Sequence, residues 1–429
     1  MDIIKIAFFR QVKDLCMAFL RFLNGFITKP QKNIMFLPHG NCRYDNYDVI
    51  NFSSDNVLAL LNYVLHTECY NDYHLYVVYY HSSKLNKYLD YCRNNHLERI
   101  RFVHRDDKVE FVKAIIRSKI IFTDNYYEPI RYKAKKQQVV CLGYYAAPFK
   151  DDFFKVERTG FTNSLHKSVV YSKAFDFHIS NSDLCSRLIS LDSLIWYPHF
   201  LPLGFPRNDI FYKQEIHGKI ETLIKSCIKN VDFDKIVCYA PTYRDYENSD
   251  NVLNDSLLIH NKTIFGSKDL REDEKLHTVL EKTNSIIIAK LHPRQEQSVI
   301  ISNNNRRIIM FSELLKHCTL SLQELLAVSD ILITDYSSTF YDYLHLRRPI
   351  LYYFYDIEVM TSKRGLFIDP ITPLCAGKVT YNIKELSIEL EKAIVQGDSS
   401  AQQREHVFQL INKYKDGNSA KRIAEYFLS

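Results

Sequence analysis

Ile331-Leu332-Ile333-Thr334-Asp335-Tyr336-Ser337-Ser338-Thr339-Phe340 decides the fold. A short apolar run breaks into Thr-Asp-Tyr, then two serines, then the helix-compatible Phe340 to Leu346. That order predicts a buried strand, a tight loop and a helix N-terminus carrying Ser337 and Ser338. Free backbone N–H groups and the positive end of a helix dipole meet at such a point, and small hydroxyl side chains let an anion come close. A phosphate fits there, and so does an ordinary serine N-cap.

Two further segments repeat the theme. Tyr239-Ala240-Pro241-Thr242-Tyr243-Arg244-Asp245 follows the strand-like Ile236 to Cys238, and Lys290-Leu291-His292-Pro293-Arg294 follows Ser285 to Ala289. Each sets polar and cationic residues beyond the C-terminal end of a buried strand, the edge at which open α/β sheets bind ligands. Three such clusters in about a hundred residues point to one site.

The chain has 429 residues, enough for two domains, with 46% apolar and 25% charged residues, a normal globular balance. Its ten cysteines lie scattered from Cys16 to Cys375 with no CxxC and no zinc spacing, which reads as reduced thiols and gives no metal framework. A net charge of +6 is too mild to argue for nucleic acid, and the 30 tyrosines form no stacking platform with basic residues. GxGxxG and GxxxxGKS are both absent, which disfavours the common nucleotide-binding loops. No apolar run reaches the ~18 residues that a membrane span requires.

Residues 1–32 read as an amphipathic, membrane-associating arm. Ile3, Ile4, Phe8, Phe9, Val12, Phe19, Leu20 and Leu23 are interrupted by Lys5, Arg10, Lys13 and Arg21. That mixture suits a basic interfacial helix on an anionic bilayer, with packing on the body of the protein as the alternative. Beyond it, strands are expected at 33–37, 74–80, 100–103, 119–123, 139–142 and 175–180, with helices between them. The alternation resumes with strands at 236–240, 285–290, 307–310, 330–334 and 349–353 and helices at 269–283, 321–328, 337–346, 383–395 and 419–428. Strands alternating with helices, without hairpin signals, mean parallel βαβ units. The pattern predicts an α/β, GT-B-like architecture: two Rossmann-like domains, 33–212 and 213–429, with parallel sheets facing across a cleft. The boundary follows the Pro- and Gly-punctuated Leu201 to Asp209.

Taken in order, these segments resemble a known family. With Arg348-Pro349-Ile350, Lys363-Arg364-Gly365-Leu366, Asp416-Gly417-Asn418-Ser419 and Leu203-Gly204-Phe205-Pro206-Arg207-Asn208-Asp209, the set is similar to the CDP-glycerol glycerophosphotransferase family of teichoic acid and capsule synthesis. The resemblance covers roughly residues 110 to 425. It implies a GT-B fold attached peripherally to the cytoplasmic face of the bacterial cell membrane. It also implies transfer of glycerol phosphate, or a related alditol phosphate, from CDP-glycerol or CDP-ribitol to a hydroxyl of a lipid-linked or capsular glycan, releasing CMP. His292 lies where that family has a functional histidine and can donate to the leaving phosphate. Thr242, Arg244, Arg294, Ser337, Ser338 and Arg364 are the expected donor and phosphate ligands; Arg244 suits bidentate phosphate contact. Asp335 is expected to shape the loop or bind a sugar hydroxyl, because a carboxylate facing a pyrophosphate repels it. Arg364 has an equal alternative as a salt bridge holding its own loop.

The resemblance breaks at Tyr144-Tyr145-Ala146-Ala147-Pro148-Phe149-Lys150, where the family pattern is Trp-His-Gly-Thr-Pro-Leu-Lys. Tyr145 takes the place of the expected general base, and an unperturbed tyrosine, with a pKa of about 10, is a poor base at neutral pH. His39, between Pro38 and Gly40, is a substitute base from another loop. Weak base assistance in a loose transition state would also account for the tyrosine, as would another donor in the same fold. A GT-B glycosyltransferase using a nucleotide-sugar and a degenerate donor-binding scaffold are the competing functions. No metal ligand set stands out; Mg2+ and oligomerisation stay open, and no nucleic-acid partner is expected.

Overall fold

Apolar runs bounded by polar residues become parallel strands because strands buried on both faces can be apolar throughout. The structure is a computed structural model describing residues 32–38, 48–124, 133, 136–143, 175–193, 195, 197–229, 231–244, 262–266, 270–292, 296, 299–300, 306–368 and 370–429. The expected N-terminal arm, apart from Lys32, lies outside them.

The described residues form two compact units: those up to Asp209 together with Asn418–Ser429 in the first, and those from Ile210 to Gly417 in the second. In the first, β1 (Asn33–Leu37), β2 (His74–Tyr79), β3 (Ile100–His104), β4 (Ile120–Thr123), β5 (Gln138–Cys141), β6 (Phe177–Ile179) and β7 (Phe200–Leu201) make one sheet. Among the described residues its order is β3-β2-β1-β4-β5-β6-β7, parallel throughout.

The second unit contains β8 (Lys235–Ala240), β9 (Lys262–Thr263), β10 (Ser285–Ala289), β11 (Val299–Ile300), β12 (Ile308–Met310), β13 (Ile331–Thr334), β14 (Ile350–Tyr353) and β15 (Lys378–Thr380). Its main sheet runs β12-β10-β8-β13-β14-β15, again all parallel, and β9 pairs with β11 apart from it. Val237, Ile287, Ile331, Ile333 and Leu351 meet Leu276, Leu280, Leu386 and Leu390 in one core. The last four come from the helices Leu270–Lys282 and Ile383–Val395. Both parallel sheets match the expected α/β class.

Local chemistry sets the helix ends. The Asp55 side chain accepts from Leu58 N at 2.7 Å and caps Asn56–Leu65. Ser321 and Glu324 form a reciprocal capping box on Leu322–Val328, an arrangement whose N-cap is worth about 1 kcal/mol. In the first unit Asp209 accepts from Ser419 N and Ala420 N, both at 2.9 Å, and so caps the final helix Ser419–Leu428. Gly204 sits at φ +87°, where an added Cβ would come within 2.6 Å of Ser419 Oγ. That closeness explains a glycine in the 203–209 segment.

Strands β7, β9, β11 and β15 are not among those expected, and the final helix, expected in the 213–429 domain, belongs to the first unit. Two helical features also depart from expectation. The helix expected over 337–346 is a five-residue α-turn, Thr339–Tyr343, followed by a 3₁₀ turn, Leu344–Leu346. A helix also covers Gln214–Cys227, a stretch with no element among those expected.

Candidate functional site

Four adjacent strands of the second sheet, β10, β8, β13 and β14, end on one edge. Ala289 is level with Tyr239, and Thr334 with both Ala240 and Tyr352. Parallel register alone therefore gathers Lys290–His292, Thr242–Arg244, Asp335–Ser338 and Phe354–Asp356.

The Thr-Asp-Tyr step explains itself residue by residue. Thr334 Oγ1 donates to Ala240 O at 2.8 Å and ties β13 to β8. Asp335 Oδ1 accepts from Thr242 N at 2.7 Å and from Ser337 N at 3.2 Å, while Oδ2 meets Arg244 Nη1 at 2.6 Å. Tyr336 is fully buried, stacked on Phe354 with centroids 4.8 Å apart and planes 8° apart. Its hydroxyl points to Asp356 Oδ1 at 3.5 Å.

Arg244 is the largest charged group in this edge, and only 1% of its side chain is exposed. Nε and Nη2 donate to Asp356 at 2.7 and 3.1 Å, and Nη1 donates to Asp335 and to Thr242 O at 2.6 and 2.5 Å. Its guanidinium lies 5.5 Å from the Tyr336 ring centre and 5.3 Å from that of Tyr355. Burial alone would lower its pKa, but Asp335, Tyr355 and Asp356 outweigh that and hold it well above the ordinary value. Arg244 is charged at any physiological pH.

Ser337 Oγ donates to Thr339 Oγ1 at 2.9 Å, and Ser338 precedes the short helix without a side-chain cap bond. The dipole expected behind these serines is thus that of barely more than one turn, and the loop takes its shape from Asp335 instead. Thr242 Oγ1 is buried and has no hydrogen-bond partner among the described residues. A buried hydroxyl left unpaired costs about 1–3 kcal/mol, which marks it as a group a bound ligand would satisfy. His292 is half-buried, and Tyr243, absent from the expected site, packs on its ring at 4.3 Å between centroids. Lys290 Nζ donates to Leu291 O at 3.0 Å, and burial lowers its pKa.

The structure thus joins Thr242, Arg244, Asp335 and Ser337 by hydrogen bonds and sets Ser338 and His292 on the same edge. His39, Tyr145 and Arg294 lie outside the described residues. Arg364 closes the π-turn Met360–Arg364, and its side chain likewise lies outside them. Asp356 is a site residue that sequence reasoning missed; the available signal was an acid three residues past the buried strand Ile350–Tyr353. Among the described residues no group of three or more His, Cys, Asp or Glu side chains is placed to hold a metal, and no helix is long and apolar enough to cross a membrane.

The model of the CDP-Glycerol:Poly(glycerophosphate) glycerophosphotransferase family matches residues 42–429. The chain is 27% identical over 328 residues to the teichoic acid glycerol-phosphate primase of Bacillus subtilis, covering 74% of this chain and 76% of that protein. It is 24% identical over 331 residues to the teichoic acid ribitol-phosphate polymerase TarK of Staphylococcus aureus, covering 74% of this chain and 58% of that one. Among solved structures, the wall teichoic acid polymerase TagF superposes with a TM-score of 0.70 at 19% identity, over 98% of this chain and 96% of that one. A putative UDP-N-acetylglucosamine 2-epimerase from Listeria monocytogenes gives 0.51 at 13%, over 93% and 98%. At these identities the structural likenesses speak to the fold.

Proposed function

Because this chain belongs to the CDP-Glycerol:Poly(glycerophosphate) glycerophosphotransferase family, we propose that it moves glycerol phosphate, or a related alditol phosphate, from a CDP-activated donor to a hydroxyl of a lipid-linked or capsular glycan. It is a transferase with CDP-glycerol as its donor class. The observation that carries the reading is the strand-end edge of the second sheet, where Thr242 keeps a buried hydroxyl unpaired beside Asp335 and Ser337.

In the reaction the acceptor oxygen attacks the phosphorus that bears glycerol. The bond from that phosphorus to the bridging oxygen breaks, and CMP leaves with the bridging oxygen. Such phosphoryl transfers need positioning and charge neutralisation more than covalent help. His292, held by the Tyr243 ring, gives a proton or a hydrogen bond to the departing phosphate. The Thr242, Ser337 and Ser338 hydroxyls supply donors to the diphosphate, with Arg294 and Arg364 as its cations. Tyr145 or His39 takes the proton of the acceptor hydroxyl. The chain works at the cytoplasmic face of the cell membrane, held to anionic lipid by residues 1–32.

The test is CMP release from CDP-glycerol and CDP-ribitol, with and without a lipid-linked glycan acceptor. Acceptor-dependent release that falls at least about 100-fold in His292→Ala supports the reading. Release from neither donor by the wild-type chain would overturn it. Sedimentation with phosphatidylglycerol vesicles, for the full chain and for a chain lacking residues 1–32, tests the membrane arm.

A further inference from the structure

Asp356 carries no role in the family resemblance and makes the most extensive contact with Arg244. We infer that Asp356, Arg244 and Asp335 form a positioning clamp, and that Arg244 acts on the donor through the loops it holds rather than as a phosphate ligand. The inference rests on the CDP-glycerol reading and assigns roles within that site.

A guanidinium has five N–H donors in a fixed fork. Four of those of Arg244 are committed among the described residues: Nε and one Nη2 hydrogen to Asp356, and both Nη1 hydrogens to Asp335 and Thr242 O. One Nη2 hydrogen remains, so no two-pronged contact with a phosphate is available.

Charge points the same way. Two carboxylates face one guanidinium, so the cluster does not present net positive charge to a diphosphate. A phosphate at Arg244 would have to displace a carboxylate from a side chain that is 1% exposed.

What the clamp does is visible in its outputs. Asp335 spends Oδ2 on Arg244 and keeps Oδ1 for Thr242 N and Ser337 N. One carboxylate oxygen therefore fixes the loop after β8 and the loop after β13 together. Asp356, after β14, holds Arg244 from the other side and receives the Tyr336 hydroxyl. Three strand-end loops are locked in one network, and the group it presents is the Thr242 hydroxyl. Misplacing reacting groups by about 1 Å costs on the order of 100-fold in rate, so the network acts on catalysis without touching substrate.

The two roles predict opposite signs in one variant. If Arg244 bound phosphate directly, Asp356→Asn would free it from a competing carboxylate and tighten CDP-glycerol binding. As a clamp, Asp356→Asn loosens the loops: CDP-glycerol binds about tenfold more weakly and kcat falls about 100-fold. Arg244→Lys, which keeps the charge but loses the fork, gives the same loss, and the double variant is no worse than Arg244→Lys alone. Tighter binding in Asp356→Asn, or near-normal affinity in Arg244→Lys, would overturn the inference.

Amide exchange of the wild-type chain decides the matter independently of variant folding and of donor identity. The clamp predicts that the Thr242 and Ser337 amides share one protection factor. Ser337 exchanging as fast as an open loop, with Thr242 protected, would overturn it. Wild-type protein that neither binds nor turns over CDP-glycerol would sink the functional reading, while the exchange result would still decide the clamp.

Discussion

Ile120-Ile121-Phe122-Thr123-Asp124 and Ile331-Leu332-Ile333-Thr334-Asp335 occupy matching places in the two sheets. β4 lies between β1 and β5, as β13 lies between β8 and β14. Each ends on Thr-Asp, and each aspartate is almost fully buried. Asp335 is answered by an arginine and two amides. Among the described residues Asp124 is met by the Arg207 charge and the Asn56 and Val57 amides, with the Asp55 carboxylate nearby, and its Oδ1 finds no hydrogen-bond partner. Burial first, and Asp55 second, push the Asp124 carboxyl well above the usual range. The same backbone step thus ends on a carboxylate paired with an arginine in one sheet and on a carboxyl pushed up by burial in the other. What differs is the residue supplied from the neighbouring loop, not the step itself.

The contrast is broken most severely by Arg244→Met. Removing the cation leaves Asp335 and Asp356 facing each other in a buried site, a loss of about 3–5 kcal/mol. Urea unfolding reads it, and a loss under about 1 kcal/mol would mean that the ion pairs do not hold the edge.

Acid tests what the two units share. His178 in the first and His345 in the second are both pulled down to about 3, chiefly by burial. His345 Nδ1 is within 2.9 Å of the Tyr212 hydroxyl. Their folded pKa values lie below the unfolded value of about 6.5, so the unfolded chain takes up protons first. Stability is full above about pH 6.5 and declines towards pH 3, by on the order of a few kcal/mol per histidine. His345→Gln flattens that decline in the urea midpoint, and an unchanged slope would show that His345 is not buried neutral.

Asp124→Asn carries the opposite sign. A raised folded pKa means that the stability held at low pH is lost as pH rises through it. The asparagine escapes that loss, so the variant is more stable than wild type by on the order of 1 kcal/mol at pH 8 and gains little at pH 4. Asp335→Asn is destabilised at both. Equal effects of the two substitutions would erase the distinction between the edges.

Thr242→Val is the mildest change for the fold and stabilises it by about 1 kcal/mol, because it removes a buried hydroxyl with no hydrogen-bond partner among the described residues. CDP-glycerol affinity nevertheless drops about tenfold, the cost of one lost hydrogen bond to a charged group. Unchanged affinity would remove Thr242 from the donor site.

The strands are legible in the sequence because buried parallel strands are short apolar runs. The helices Ile383–Val395 and Ser419–Leu428 fall on their expected bounds, the first capped by Asn382 and the second by Asp209, and both have clear apolar faces. Periodicity does not say which sheet a helix covers, and Ser419–Leu428 packs in the first unit. Gln214–Cys227 also carries a signal, Ile216, Ile220, Leu223 and Ile224 at helical spacing, which the neighbouring Pro/Gly segment obscures. At the site, motif order places His292, Thr242 and Ser337 on one edge. The partners of Arg244 are not legible, because Asp356 lies 112 residues away and a lone acid after a strand announces nothing.

The donor sits on the second sheet's edge, shaped by Asp335. Calorimetric titration of CDP-glycerol into Asp335→Asn and Asp124→Asn tests it most directly. Asp124→Asn should bind as wild type does, and Asp335→Asn should lose at least about tenfold in affinity. Normal binding by Asp335→Asn, with loss in Asp124→Asn, would contradict it.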